Sequence, residues 1–225
     1  MSVVLHHLDQ SRSHRILWLL EELGVEYEIV QHYRNKTTMR APKALREIHP
    51  LGKSPVVVFD DGIVVAESGA IIEELVDRFG PHLRPDPGTE AFRRYRYFMH
   101  YAEGSLMPPL LVKLIMGKLQ NAPVPFFVKP LPRAIAKQVN AEFTDPEIKR
   151  QLTFLNAELA DREYFAGDTL TAADMQMSFP LVAAASRADV ANDYPNVHAY
   201  LQRITTLPAY KRADAAGGEL NLGQL

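Results

Sequence analysis

Leu51-Gly52-Lys53-Ser54-Pro55-Val56-Val57-Val58-Phe59-Asp60-Asp61-Gly62-Ile63-Val64-Val65-Ala66-Glu67-Ser68 carries three signals in succession. Ser54-Pro55 leads into the apolar, β-branched run Val56 to Phe59. Asp61-Gly62 separates that run from a second one, Ile63-Val64-Val65, which is the pattern of two strands joined by a tight turn. Glu67-Ser68 then opens a segment whose apolar residues (Ile71, Ile72, Leu75, Val76, Phe79) recur at helical spacing. The stretch predicts strand, turn, strand, helix, with a polar cradle at its two ends.

Upstream, Ser2 to Leu8 is a β-branched and apolar run that predicts a first strand, broken by Asp9-Gln10-Ser11. Ile16, Leu17, Leu19, Leu20 and Leu23 mark a helix, and Gly24 its C-cap. Val25 to Val30 predicts a second strand. Strand, helix and strand within so short a span make a βαβ unit with parallel strands and a right-handed crossover. Residues 31–50 are polar and weakly patterned, with a short helix from Lys43 to Ile48 between Pro42 and Pro50. The order to residue 80 is therefore βαβαββα.

Downstream, residues 81–88 hold three prolines and a glycine and form the best domain boundary in the chain. It divides residues 1–80 from residues 89–225, where every pattern is helical. Ala91 to Leu119 predicts a long helix bent at Pro108-Pro109. Residues 121–132 predict a proline-rich rigid loop. A helix follows from about Pro132, with a new start at Asp145-Pro146, and runs to about Asp161. Thr171 is an N-cap whose N–H Asp174 can reach. The helix behind it is apolar on nearly every side and is expected to be central. Pro195 opens another helix, which ends near Leu207-Pro208.

The chain has 225 residues, 47% hydrophobic and 23% charged, with a net charge of −2. That is ordinary for a soluble globular protein. No basic stripe points to nucleic acid and no polybasic cluster to a membrane. There is no cysteine, which excludes a disulfide framework, thiolate metal sites and catalysis by a protein thiol. No His/Asp/Glu group has metal-ligand spacing, so no metal is expected. The first residues lack the pattern of a signal peptide, and no apolar run approaches the ~20 residues of a spanning helix. A cytoplasmic protein is expected.

The cradle has two readings at each position. Pro55 alone reads as a trans proline starting an edge strand; were its bond cis, Ser54 would offer a backbone edge to a short peptide. Ser68 at a helix N-terminus suits a carboxylate, and Glu67 an ammonium, as in an α-amino acid head group. An N-cap serine with a neighbouring acid explains the same residue types. Lys53 suits a second carboxylate or is a solvated lysine. Ser11 follows the first strand and begins the first helix, where α/β proteins bind ligands. It is either a plain N-cap or a hydroxyl that stabilises a bound thiolate, with Ser13 as its rival.

Together these residues resemble a cytosolic glutathione S-transferase along nearly the whole chain. The βαβαββα order with Ser54-Pro55 is similar to that family's thioredoxin-like domain, and Glu67-Ser68 to its acid-plus-serine pair. Gly167-Asp168-Thr169-Leu170-Thr171-Ala172-Ala173-Asp174 resembles its C-terminal capping box, and Tyr194-Pro195-Asn196 with Leu207-Pro208-Ala209-Tyr210 its last helices. The segments Leu8 to Arg15 and His49 to Pro55 look closest to a serine-type fungal and bacterial branch. The resemblance implies a thioredoxin-like domain (1–80), a linker (81–88) and an all-α domain (89–225) that forms the pocket for an electrophile.

It also implies roles. Ser11, four residues before Arg15, takes the place of the thiolate-stabilising serine. Ser54 pairs by its backbone with the cysteinyl part of glutathione, Lys53 lies near the glycyl carboxylate, and Glu67 and Ser68 hold the γ-glutamyl head. Glu103 would reach the partner's glutathione across a homodimer. The implied activity is conjugation of glutathione, bound as thiolate, to a hydrophobic electrophile lying against Phe98, Tyr101, Met107 and Leu110. Reduction of peroxides or disulfides on the same scaffold is an alternative, since it needs only the thiolate. A non-catalytic glutathione-binding protein is another.

Overall fold

A computed structural model describes residues 2–224. The sheet-bearing part runs β1 (Val3–Leu8), α1 (Ser13–Leu23), β2 (Tyr27–His32), α2 (Leu45–Ile48), β3 (Val56–Phe59), β4 (Val64–Ala66) and α3 (Ser68–Phe79). The helices beyond are α4 (Glu90–Tyr101), α5 (Met107–Gln120), α6 (Pro130–Val139), α7 (Asp145–Glu158), α8 (Ala172–Ala185), α9 (Val190–Asp193), α10 (Pro195–Thr206) and α11 (Pro208–Gly217). The βαβαββα order is the one the sequence predicts: a thioredoxin-like domain with a four-stranded mixed sheet, followed by a helical domain.

The strand order is β2-β1-β3-β4. β1 and β2 are parallel, with Leu5 opposite Ile29, whereas β3 runs antiparallel to β1, with His6 opposite Val56. The β3–β4 turn contains Gly62 at φ 81°, a left-handed backbone that glycine adopts without a Cβ clash. Gly24 ends α1 at φ 63° in the expected left-handed cap.

α8 is buried along nearly its whole length, from Ala172 to Leu181, and packs against α1, α3 and α4. A helix apolar on every side has no face to give to water, so the other elements surround it. Its start is tied by Asp174, which accepts from the Thr171 N–H at 2.9 Å and from the Phe165 N–H at 3.0 Å. The first domain meets the helical one through the same core: Ile16, Leu17, Trp18, Leu19 and Leu20 of α1 are fully buried. Trp18 meets the ring of Tyr210 on α11 edge-on, at 5.1 Å between centroids.

The helix interruption lies one turn earlier than expected. Instead of a bend at Pro108-Pro109, residues Ala102–Leu106 form a π-helical turn, and the Met107 N–H reaches back to the Ala102 carbonyl. Pro108 and Pro109 have no N–H to give to the carbonyls four residues before them, so the ladder widens ahead of them rather than at them. A second π-turn, Asn140–Thr144, precedes Asp145-Pro146 for the same reason.

Candidate functional site

The ladders of β3 begin at Val56, so Ser54 and Pro55 stand outside the paired register at the mouth of the sheet. Their peptide bond is cis, which differs from the trans reading of the proline taken alone. The Ser54 hydroxyl donates to the His6 carbonyl at 2.9 Å and fixes this corner to β1.

Opposite it lies the start of α3. The N-cap position belongs to Glu67, not to Ser68 as the helix-start reading has it. Glu67 sits at φ 72° and ψ 125°, a conformation uncommon for a residue with a Cβ and enriched at functional sites. Its side chain is exposed, whereas Ser68 is buried. Lys53, Ser54, Pro55, Glu67 and Ser68 line one cavity of about 400 Å³, closed by Arg34, His49 and Glu103. That volume lies within the range of small-molecule sites. The four residues singled out from the sequence as a cradle are thus brought together.

Beneath the cavity lies an ion network the sequence reading missed. Arg15, wholly buried, donates to the Gln176 carbonyl at 2.7 Å, to Ser68 Oγ at 3.0 Å and to Glu103. Glu103 also accepts from Arg12, whose Nε is shared between the two carboxylate oxygens at 2.9 and 3.1 Å and whose Nη2 donates at 3.0 Å. Burial pushes the Arg15 guanidinium down to about 10, against the pull of Glu103, so it remains charged at neutral pH. Burial works to raise the Glu103 carboxyl, but Arg15 and Arg12 outweigh it and hold the group below the usual carboxylate range. Glu103, expected to reach across a dimer, has these partners in its own chain. The available signal for Arg15 was a cation embedded in the apolar face of the first helix, directly before Ile16 and Leu17.

Ser11 and Ser13 lie side by side, Oγ to Oγ, at 2.8 Å. Helix α1 starts at Ser13 with Arg12 as its N-cap, although Ser11 Oγ accepts the Ser13 N–H at 3.2 Å. Ser13 is fully buried and holds Leu8 from both sides, accepting from its N–H at 3.2 Å and donating to its carbonyl at 3.1 Å. Ser11 keeps 5% of its surface exposed. The side chain that this turn gives to the cavity wall is that of Arg12.

A second, smaller cavity of about 240 Å³ adjoins the first and shares Arg12, Arg34 and Leu111 with it. Its apolar wall comes from α5 and α8: Met107, Leu110, Leu114 and Phe179. Met107 and Leu110 are where the sequence expects the electrophile. Phe98 and Tyr101 are not; both are buried in the helical core, Phe98 against Phe165 at 4.6 Å and Tyr101 against Phe154 at 5.7 Å between centroids. They precede the π-turn and Met107 and Leu110 follow it, so one straight helix does not describe which side chains share a face. Among the described residues no group of His, Cys, Asp and Glu is arranged to hold a metal ion, and no helix is long and apolar enough to cross a membrane.

Residues 11–78 match the family model for the glutathione S-transferase N-terminal domain, and residues 120–208 the model for its C-terminal domain. The chain is similar to glutathione S-transferase 3 of Schizosaccharomyces pombe, with 38% identity over 94% of this chain and 86% of that protein. It is also similar to glutathione S-transferase 1 of Saccharomyces cerevisiae, with 35% identity over 92% of each. Among solved structures, a glutathione S-transferase from Actinobacillus pleuropneumoniae superimposes with a TM-score of 0.79 and 33% identity, covering 99% of this chain and 96% of that one.

Proposed function

The chain belongs to the glutathione S-transferase family and is a glutathione transferase with glutathione as co-substrate; on that premise we propose how its residues divide the work. The observation that carries the proposal is the convergence of Lys53, Ser54, Pro55 and the α3 start at Glu67–Ser68 on one cavity. Glu67 takes the ammonium of the γ-glutamyl head. Ser68, oriented by Arg15, and the free N–H groups of the α3 start take its carboxylate. The Ser54 backbone pairs with the cysteinyl unit, and Lys53 takes the glycyl carboxylate.

Ser11 donates its hydroxyl to the thiolate. Ser13 is the positioning residue: its hydroxyl proton goes to the Leu8 carbonyl and its N–H donates to Ser11 Oγ, which orients the Ser11 hydroxyl so that its own proton can turn to sulfur. Lowering a thiol pKa from about 8.5 by two units takes about 2.7 kcal/mol. One hydrogen bond to a charged group, at about 1.5–3 kcal/mol, together with the start of α1 supplies that. The thiolate then attacks an electrophile seated in the adjoining apolar cavity. The domain division at 81–88, a homodimer and a cytoplasmic location follow the family resemblance.

Initial rates with glutathione and a halogenated dinitrobenzene, cumene hydroperoxide and a mixed disulfide test the activity. Conjugation of the aromatic substrate well above the rate with free glutathione is expected. Turnover of the disulfide alone would replace conjugation with reduction.

A further inference from the structure

The apolar cavity contains cations that conjugation of a neutral electrophile does not use. Arg12, Arg34, Lys118 and Arg187 line it, and among the described residues no carboxylate does. Arg12 is ion-paired with Glu103, which it shares with Arg15. Arg34 spends its guanidinium on the carbonyls of Met39 and Gln10, at 3.2 and 3.3 Å, and lies in the field of Asp9. Arg187 bonds only the Ala183 carbonyl and Ser186 Oγ, at 2.7 and 2.8 Å, and neither it nor Lys118 is in an ion pair among the described residues. Burial lowers the Arg187 pKa, so an anion beside it would relieve a cost that water no longer covers.

The two kinds of cation lie at opposite ends. Arg12 and Arg34 also line the cradle cavity, where the thiolate is placed. Lys118 and Arg187 also line the next groove outward, beside Asn121 and Gly223. Met107, Leu110 and Phe179 lie in the same wall.

We propose that the second substrate is an elongated apolar electrophile with a carboxylate at the end remote from its reactive carbon. The reactive carbon enters at the Arg12 end, the chain lies on Met107, Leu110 and Phe179, and Lys118 and Arg187 take the carboxylate. This rests on the transferase reading above. With an enone, the glutathione sulfur bonds to the β-carbon and the C=C pair moves onto the carbonyl as an enolate. A proton from water at the α-carbon then restores the ketone.

The test compares a straight-chain enone ending in a carboxylate with the same enone ending in a primary amide. The head is remote from the reacting carbon, so the two react alike with free glutathione. The carboxylate is expected to have a kcat/KM about tenfold higher, equivalent to about 1.4 kcal/mol, and the advantage should shrink with added salt. In the Lys118→Gln/Arg187→Gln double variant the ratio falls to about one, whereas Lys149→Gln, an exposed lysine outside the cavity, keeps it. Equal or better turnover of the amide by the wild type overturns the proposal, as does a preference that survives in the double variant. Calorimetric binding of the saturated keto acid and keto amide, with S-methylglutathione bound, reads the charge preference without chemistry. If neither enone is turned over but the keto acid still binds better, the transferase reading fails and what stands of the proposal is the carboxylate site at Lys118 and Arg187.

Discussion

Arg15 on α1 donates to the hydroxyl of Ser68 on α3 at 3.0 Å, with its guanidinium fully buried. A charge removed from water is tolerable only when its hydrogen bonds are met. Here Nη1 and Nη2 are met by the residues that shape the floor of the cradle, while Nε has no partner among the described residues, so the first domain's ligand site and its packing on α8 through Gln176 depend on one side chain. Arg15→Leu leaves Ser68, the Gln176 carbonyl and part of Glu103 without a donor. We expect a loss of about 3 kcal/mol of stability, read by urea unfolding, and weaker glutathione binding. Arg15→Lys keeps the charge but not the fork and should recover only part of each.

Ser11 and Ser13 separate by what each substitution changes. Ser11→Ala should lower kcat by about a hundredfold, near the about 2.7 kcal/mol assigned to the thiolate, with little change in glutathione KM. Ser13→Ala breaks the hold on Leu8 and should lower thermal stability as well as activity. Steady-state kinetics and a melting curve on both variants check this. Loss of activity in Ser13→Ala alone would exchange the roles.

Lys53 and Glu67 are exposed, so their substitution tests recognition without disturbing the core. Lys53→Gln and Glu67→Gln should each raise the glutathione KM by about tenfold, the size of one charge-assisted contact. Melting temperatures should stay close to wild type. Isothermal titration with glutathione gives the same comparison without turnover.

Acid should weaken the fold through His7. Its Nε2–H donates to the Gly217 carbonyl at 3.1 Å at the end of α11, and its Nδ1 is buried with no acceptor. A second proton there has no partner, and burial lowers the pKa from 6.5 to about 4. Because the folded value lies below the unfolded one, the stability this neutral ring contributes is complete above about pH 6.5. It is lost as the pH falls toward 4, about 2 kcal/mol of it by pH 5. Asp174 works in the opposite direction: burial raises it to about 6, so its contribution is lost as the pH rises through that value. Comparing wild type with His7→Gln by urea unfolding at pH 7 and pH 5 isolates the histidine. The wild type should lose about 2 kcal/mol more between the two.

Local chemistry made the cradle legible. Asp61-Gly62 requires a turn, Ser54-Pro55 starts a strand, and the spacing of Ile71, Ile72, Leu75 and Val76 allows only a helix behind Glu67-Ser68. The capping residues Thr171 and Asp174 likewise declare themselves within four positions. What stayed hidden depends on long-range placement. Arg34 lies in the unpatterned stretch 31–50, and Lys118 and Arg187 are far apart in sequence and meet only through the packing of α5 on α8. The misplacement of Phe98 and Tyr101 has a local cause: a π-turn shifts which residues share a face, and no periodicity of 3.6 reveals it beforehand.

The central claim is that this protein binds glutathione in the Lys53–Ser68 cradle and holds its sulfur as thiolate at Ser11. Ultraviolet titration of the thiolate in the protein–glutathione complex measures it most directly. The account predicts a bound thiol pKa of about 6.5, two units below the free value of about 8.5, returning most of the way in Ser11→Ala. A bound thiol that titrates near 8.5 in the wild type, or a depressed pKa that Ser11→Ala leaves in place, would contradict it.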